Sequence, residues 1–131
     1  MYETPEDSIA RIRDDVRRAE ERGALLPQLQ AAIDEVRGRA VSLRRDVSVE
    51  VDSSGALRSV NISDAALERG GRRVSEEVME LVRKATQDAR AQTLARTVEI
   101  LGEDDPLVRV VAADFEADET GDHSWRFGGR A

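Results

Sequence analysis

The residues best suited to chemistry in this chain are arginines set close together. They are Arg11 and Arg13, Arg17 and Arg18, Arg37 and Arg39, Arg44 and Arg45, Arg72 and Arg73, and Arg83 beside Lys84. Clustered guanidinium groups bind phosphate through forked donors and displace the counterions condensed on a nucleic acid. The competing account is a solvated helix face laced with i,i+4 ion pairs, because Asp14, Asp15, Glu20 and Glu21 are interleaved with the first arginines. Arg37, Arg39, Arg44 and Arg45 form the least neutralised set and lead the candidates for phosphate contact. Arg17, Arg18, Arg83 and Lys84 follow.

Little else in the sequence points to reactivity. His123 is the single histidine, set in a glycine- and acid-rich tail, and there is no cysteine. That composition excludes disulfides and thiolate metal sites, fits a reducing compartment and leaves no Ser-His-Asp or Cys-His constellation with fixed geometry. Asp114, Glu116, Asp118 and Glu119 lack the spacing and glycine of a calcium loop and read as a solvated acidic run. Gly70-Gly71 and Gly128-Gly129 lack the strand-to-helix setting of a phosphate loop. The expectation is a protein without catalytic residues, cofactor or metal. Trp125 and Phe127 are two of the four aromatics. They either anchor the C-terminal tail on the body or insert into a protein partner.

Charge is unevenly spread. Lys and Arg number 20 against 27 Asp and Glu, for a net charge of −7. Residues 103–131 hold eight acids and three bases, net −5, so the body up to Gly102 is nearly balanced at −2. The balance argues against a simple basic nucleic-acid binder, although distribution matters more than the sum. No apolar run approaches the ~18 residues of a membrane span. The start, Met1-Tyr2-Glu3-Thr4-Pro5-Glu6-Asp7, is polar and acidic, unlike a secretory signal. A cytoplasmic protein without membrane contact is expected.

The elements that must position these groups follow from periodicity. Thr4 reads as a helix N-cap with Pro5 at the first helical position. Ile9, Ile12, Val16 and Ala19, then Leu26, Leu29, Ile33 and Val36, recur at spacings of three and four, with Gly23 and Pro27 marking a kink or short break. From Pro5 to Val36 a helix spans roughly 45–50 Å at ~1.5 Å per residue. A compact domain of this size has a radius of gyration of about 14 Å. Such a seam needs a second helix, most simply from a second copy, which makes Ile9, Ile12, Val16, Leu26, Leu29 and Ile33 candidate dimerisation residues.

Ala40-Val41-Ser42-Leu43 reads as a first strand, joined through Arg44-Arg45-Asp46 to a hairpin. In that hairpin Val47, Val49 and Val51 alternate with polar residues, 52–55 form the turn, and Val60 and Ile62 lie on the return strand. Ser63-Asp64 caps a short turn, a long helix follows over residues 72–101, and Gly102 stops it. Leu107, Val108, Val111 and Phe115 suit a short amphipathic helix in the tail. With 36% charged and only 3% aromatic residues, the core must be aliphatic and thin. The fold class is therefore α+β, a three-stranded antiparallel sheet between two long helices. Residues 1–102 form the domain and 103–131 an acidic tail.

This order resembles the YbaB/EbfC family of nucleoid-associated proteins. The residues that carry it are Gly38-Arg39-Ala40-Val41-Ser42, the hairpin from Val47 to Ile62, Asp64-Ala65-Ala66-Leu67, and the helix from Val78 to Ala91. The resemblance covers about residues 8–101, and the arginine- and alanine-rich, lysine-poor composition is similar to actinobacterial members. It implies a homodimer with central sheets and helices projecting like tweezers. It also implies weakly selective binding of double-stranded DNA at the nucleoid. Some actinobacterial relatives look like accessory proteins of type VII secretion. That leaves a protein-binding adaptor as the alternative, with the C-terminal tail as a further place for a protein partner.

Overall fold

The computed structural model describes residues 4–120. His123, Trp125 and Phe127, and the side chains of Asp118 and Glu119, lie outside the described residues. Thr4 does cap the first helix, α1 (Pro5–Asp34): its Oγ1 accepts the Asp7 N–H at 3.1 Å, and the Asp7 carboxylate accepts the Thr4 N–H at 3.3 Å. This reciprocal pair satisfies two donors that a helix start otherwise leaves open. Of the kink or short break expected at Gly23 and Pro27, no break occurs. The helix runs unbroken for 30 residues with Pro27 inside it. Proline lacks one donor and its ring crowds the carbonyl four residues back, which here belongs to Gly23. A glycine with open space around it lets that peptide tilt away.

Three antiparallel strands follow in the order β1 (Arg37–Val41), β2 (Val47–Asp52) and β3 (Leu57–Ile62). β1 begins three residues earlier than the apolar pattern suggests. It pairs with β2 from Arg37 opposite Asp52 to Val41 opposite Ser48. Leu43, assigned to the strand by pattern, sits on the turn instead and is fully exposed. Gly55 takes φ +84 in the second hairpin turn, and Asp52 Oδ1 accepts the N–H groups of Ser54 and Ala56. Ser63 caps the short α2 (Asp64–Leu67). The long helix α3 (Gly71–Leu101) ends at Gly102, whose φ is +92. α4 (Pro106–Thr120) then turns back along α3. Asp105 holds the start of α4 by accepting the Leu107 N–H at 2.9 Å and binding Arg22 with both oxygens, at 2.8 and 3.0 Å.

The core is thin and aliphatic. Val47, Val49 and Val51 point from β2 to one face of the sheet, where they cluster with Leu81, Ala85 and Ala89 of α3, with Val36 and with Ala66. Gly38 marks the closest approach of sheet and helix. A Cβ there would lie 2.0 Å from the Ala85 carbonyl oxygen and 2.8 Å from the Ala89 Cβ. The last turns of α1, with buried Leu29 and Ala32, complete the fold against α3.

Candidate nucleic-acid interface

The strand pairing places Arg37 and Arg39 on the same sheet face as Glu50, away from the α3 core. Their Nε atoms lie 3.7 and 3.5 Å from its two carboxylate oxygens. The edge backbone beside them is pinned by α3: Asp88 accepts the Arg39 N–H at 2.9 Å, and Gln92 Nε2 donates to the Arg37 carbonyl at 2.8 Å. This blocks an edge otherwise open to another strand and fixes the two arginines. Arg37 is partly held down, because its Nη1 also donates to the carbonyls of Asp34 and Val36. Arg39 keeps 67% of its side chain exposed.

Two of the other basic pairs repeat the ratio of two cations to one carboxylate. Arg17 and Arg18 both bond Asp14. Arg83 and Lys84 lie 3.7 and 3.6 Å from Glu80. Each pair therefore retains about one uncompensated positive charge, and exposed ion pairs of this kind hold their partners weakly. Arg17 and Arg18 do not join the strand arginines in one patch within a single chain. They stand on α1 some 16 residues before its end, roughly 24 Å along the axis.

Arg44 and Arg45 differ from the rest. Both are exposed on the β1–β2 turn and make no ion pair among the described residues. The turn closes through Arg45 N–H to the Ser42 carbonyl at 2.9 Å, with Arg45 itself left-handed at φ +59. A polar knot that sequence reasoning missed braces it from below. The Asp46 carboxylate accepts the Ser42 hydroxyl at 2.9 Å and two Arg69 nitrogens at 2.6 and 3.2 Å, and Arg69 also reaches Glu77 at 2.7 Å. Ser42 Oγ in turn accepts the N–H groups of Asp46 and Val47, both at 3.1 Å. The hydrogen bonds from Arg69, with help from Ser42, hold the Asp46 carboxyl down at about 2, despite partial burial acting the other way. Two free guanidinium groups are thus carried on a rigid, well-tethered turn. No local motif signals this knot, since its partners are 23 and 8 residues apart.

Of the dimerisation candidates, Ile9, Ile12, Val16 and Leu26 are exposed, at 50, 62, 51 and 39%. Ile33 is half-buried. Leu29 is 4% exposed within its own chain, so it is not available to a partner. Its neighbours in that inner stripe, Leu25 and Ala32, lie one position away from the outer one, so α1 carries two seams rather than one, and Val36 just beyond the helix continues the inner seam. Among the described residues there is no cluster of three or more His, Asp or Glu side chains able to hold a metal. No described helix is long and apolar enough to cross a membrane.

No curated protein and no solved structure matches the chain. A family model does match it: that of the YbaB/EbfC DNA-binding family, over residues 10–104, from the first turns of α1 through the end of α3.

Proposed function

Because the chain belongs to the YbaB/EbfC DNA-binding family, we propose that it works as a homodimer that binds double-stranded DNA with low sequence specificity, at the nucleoid of the cytoplasm and without catalysis. The observation that carries this reading is the β1–β2 turn, where Arg44 and Arg45 stand exposed and unpaired on a braced loop. Unpaired guanidinium groups of this kind suit phosphate oxygens, which fix position on a duplex and carry no sequence information. Arg39 on the adjoining strand, and the half-neutralised pairs Arg17–Arg18 and Arg83–Lys84, would extend the contact along the backbone. A dimer doubles the number of these sites and the net negative charge alike, so local clustering rather than the total charge must carry the contact.

Fluorescence anisotropy with duplex DNA across a salt series tests the proposal. Changing Arg44 and Arg45 together to glutamate should weaken binding equally for unrelated sequences and lower the salt slope by about 1–2 phosphate contacts per chain. Unchanged affinity in a folded variant would remove the turn from the interface.

A second reading, a protein-binding adaptor, is favoured by the exposed Ile9, Ile12 and Val16 on α1. It predicts no DNA binding by the parent protein even at low salt.

A further inference from the structure

The two hairpin turns lie at opposite ends of the sheet and are built from different residues. The β2–β3 turn is Asp52-Ser53-Ser54-Gly55, polar residues with ordinary turn chemistry and no cation. The β1–β2 turn is closed by the Arg45 N–H on the Ser42 carbonyl, so Leu43 and Arg44 occupy its two central positions. Neither is a residue that turns favour, and Arg45 holds a left-handed φ where glycine or asparagine would be at ease. Leu43 is also the most exposed large apolar side chain among the described residues. Local preference is thus set aside at three successive positions. Departures of this kind gather where function outweighs folding.

Single apolar residues on a surface are ordinary. Three observations set this one apart. It stands at the tip of a hairpin rather than within a face of the molecule. Arg44 and Arg45 beside it are exposed and make no ion pair among the described residues. The turn beneath it is held rigid, because Ser42 Oγ accepts the N–H groups of Asp46 and Val47, and Arg69 grips the Asp46 carboxylate. A leucine on a loose loop would lose freedom on entering a partner, whereas this one is held in place beforehand.

We propose that Leu43 is a wedge that enters the minor groove of DNA and inserts between two stacked bases, while Arg44 and Arg45 hold the flanking phosphates. The proposal rests on the DNA-binding reading and adds the mode of contact. Leucine is among the side chains that can part a base step in this way, and such insertion kinks the duplex. In the free protein the side chain gains nothing from its exposure. In the complex it leaves water for the faces of the bases. Unstacking is easiest at pyrimidine–purine steps such as TA, so the wedge favours flexible steps without reading base edges. That behaviour suits a binder of low sequence specificity.

The full-length protein is titrated into duplexes of about 30 base pairs that carry 2-aminopurine at a TA step and a dye pair at the two ends. Binding by the parent should raise 2-aminopurine fluorescence, which reports unstacking, and shorten the distance between the dyes. Leu43→Ser should abolish both signals and weaken binding about tenfold, with the salt slope unchanged because no phosphate contact is lost. Leu43→Phe should keep both signals. Circular dichroism and light scattering on each variant report its folding and oligomeric state. A folded Leu43→Ser chain that binds and unstacks DNA as the parent does would overturn the wedge. A parent that binds DNA without unstacking or bending it would overturn it too. Loss of the parent's oligomeric state in Leu43→Ser would place the leucine in a protein interface and likewise sink the proposal. A parent that binds no duplex even at low salt would overturn the DNA-binding reading itself.

Discussion

At the scale of single residues, the β1–β2 turn brings backbone and charge into conflict. Arg45 holds φ +59, a conformation that costs an ordinary side chain on the order of 1 kcal/mol and costs glycine nothing. Arg45→Gly should therefore raise stability slightly, by up to about 1 kcal/mol after glycine's greater unfolded-state freedom is counted. The same change should weaken DNA binding, because a guanidinium is lost. Denaturant melts and anisotropy on one variant would then move in opposite directions, and a variant that binds as well as the parent would make Arg45 a bystander.

Beneath the turn, the Asp46 carboxyl is depressed from 3.8 to about 2 by Arg69 and Ser42. A depressed acid contributes its stability above its unfolded value and loses it as pH falls through the folded one. The parent should thus lose stability between about pH 4 and pH 2 more steeply than Asp46→Asn, which should be weaker at pH 7 and flatter below. Parallel pH curves for the two proteins would show that the knot contributes nothing. Sequence made the turn visible and its arginines conspicuous. The knot was not legible, because an Arg–Asp contact across 23 residues leaves no local pattern.

At the scale of elements, the hairpin, the capped start of α1 and the long α3 were readable because each follows from a period or a cap. The departures arise where neighbours override local preference. Pro27 reads as a break in isolation, and glycine four residues earlier makes it tolerable within α1. β1 starts at Arg37 because β2 and the α3 side chains Asp88 and Gln92 complete its hydrogen bonds on both edges. Gly38 carries the clearest structural consequence. The sheet touches α3 there across Ala85 and Ala89, so a methyl group has no room against a backbone carbonyl at 2.0 Å. Gly38→Ala should destabilise the fold by at least about 1–3 kcal/mol, the usual range for overpacking a tight interior. It should also disturb the placement of Arg37 and Arg39 on either side. A denaturant midpoint equal to the parent's would mean that the helix and sheet separate more easily than this contact implies.

At the scale of the whole molecule, the question is how a chain with net charge −7 approaches a polyanion. The answer lies in segregation: residues 103–131 carry −5, and the body carries −2. The structure ties the beginning of that acidic segment to two basic groups of the body. Asp105 grips Arg22 with both oxygens, and Arg90 Nη1 donates to the Asp114 carbonyl at 3.3 Å. An anionic helix held along α3 lowers the local potential and competes with phosphate for the arginines around it. Ending the chain at Gly102 should therefore raise affinity for duplex DNA, most strongly at low salt, where screening is weakest. The same truncation removes α4, which packs on α3 and whose Leu107, Val108, Val111 and Phe115 are half-buried, and so should expose apolar surface. A lower melting temperature should accompany the gain in affinity, and melts must be run beside each titration so that unfolding is not mistaken for weak binding. Asp105→Asn separates the two effects, because it loosens the clamp on Arg22 while leaving the apolar cover in place. It should recover part of the affinity gain with little of the thermal cost. If the truncated chain stays folded and dimeric and binds DNA no better than the parent, the acidic segment is no competitor for phosphate, and the protein-binding reading of α1 and the tail gains the ground.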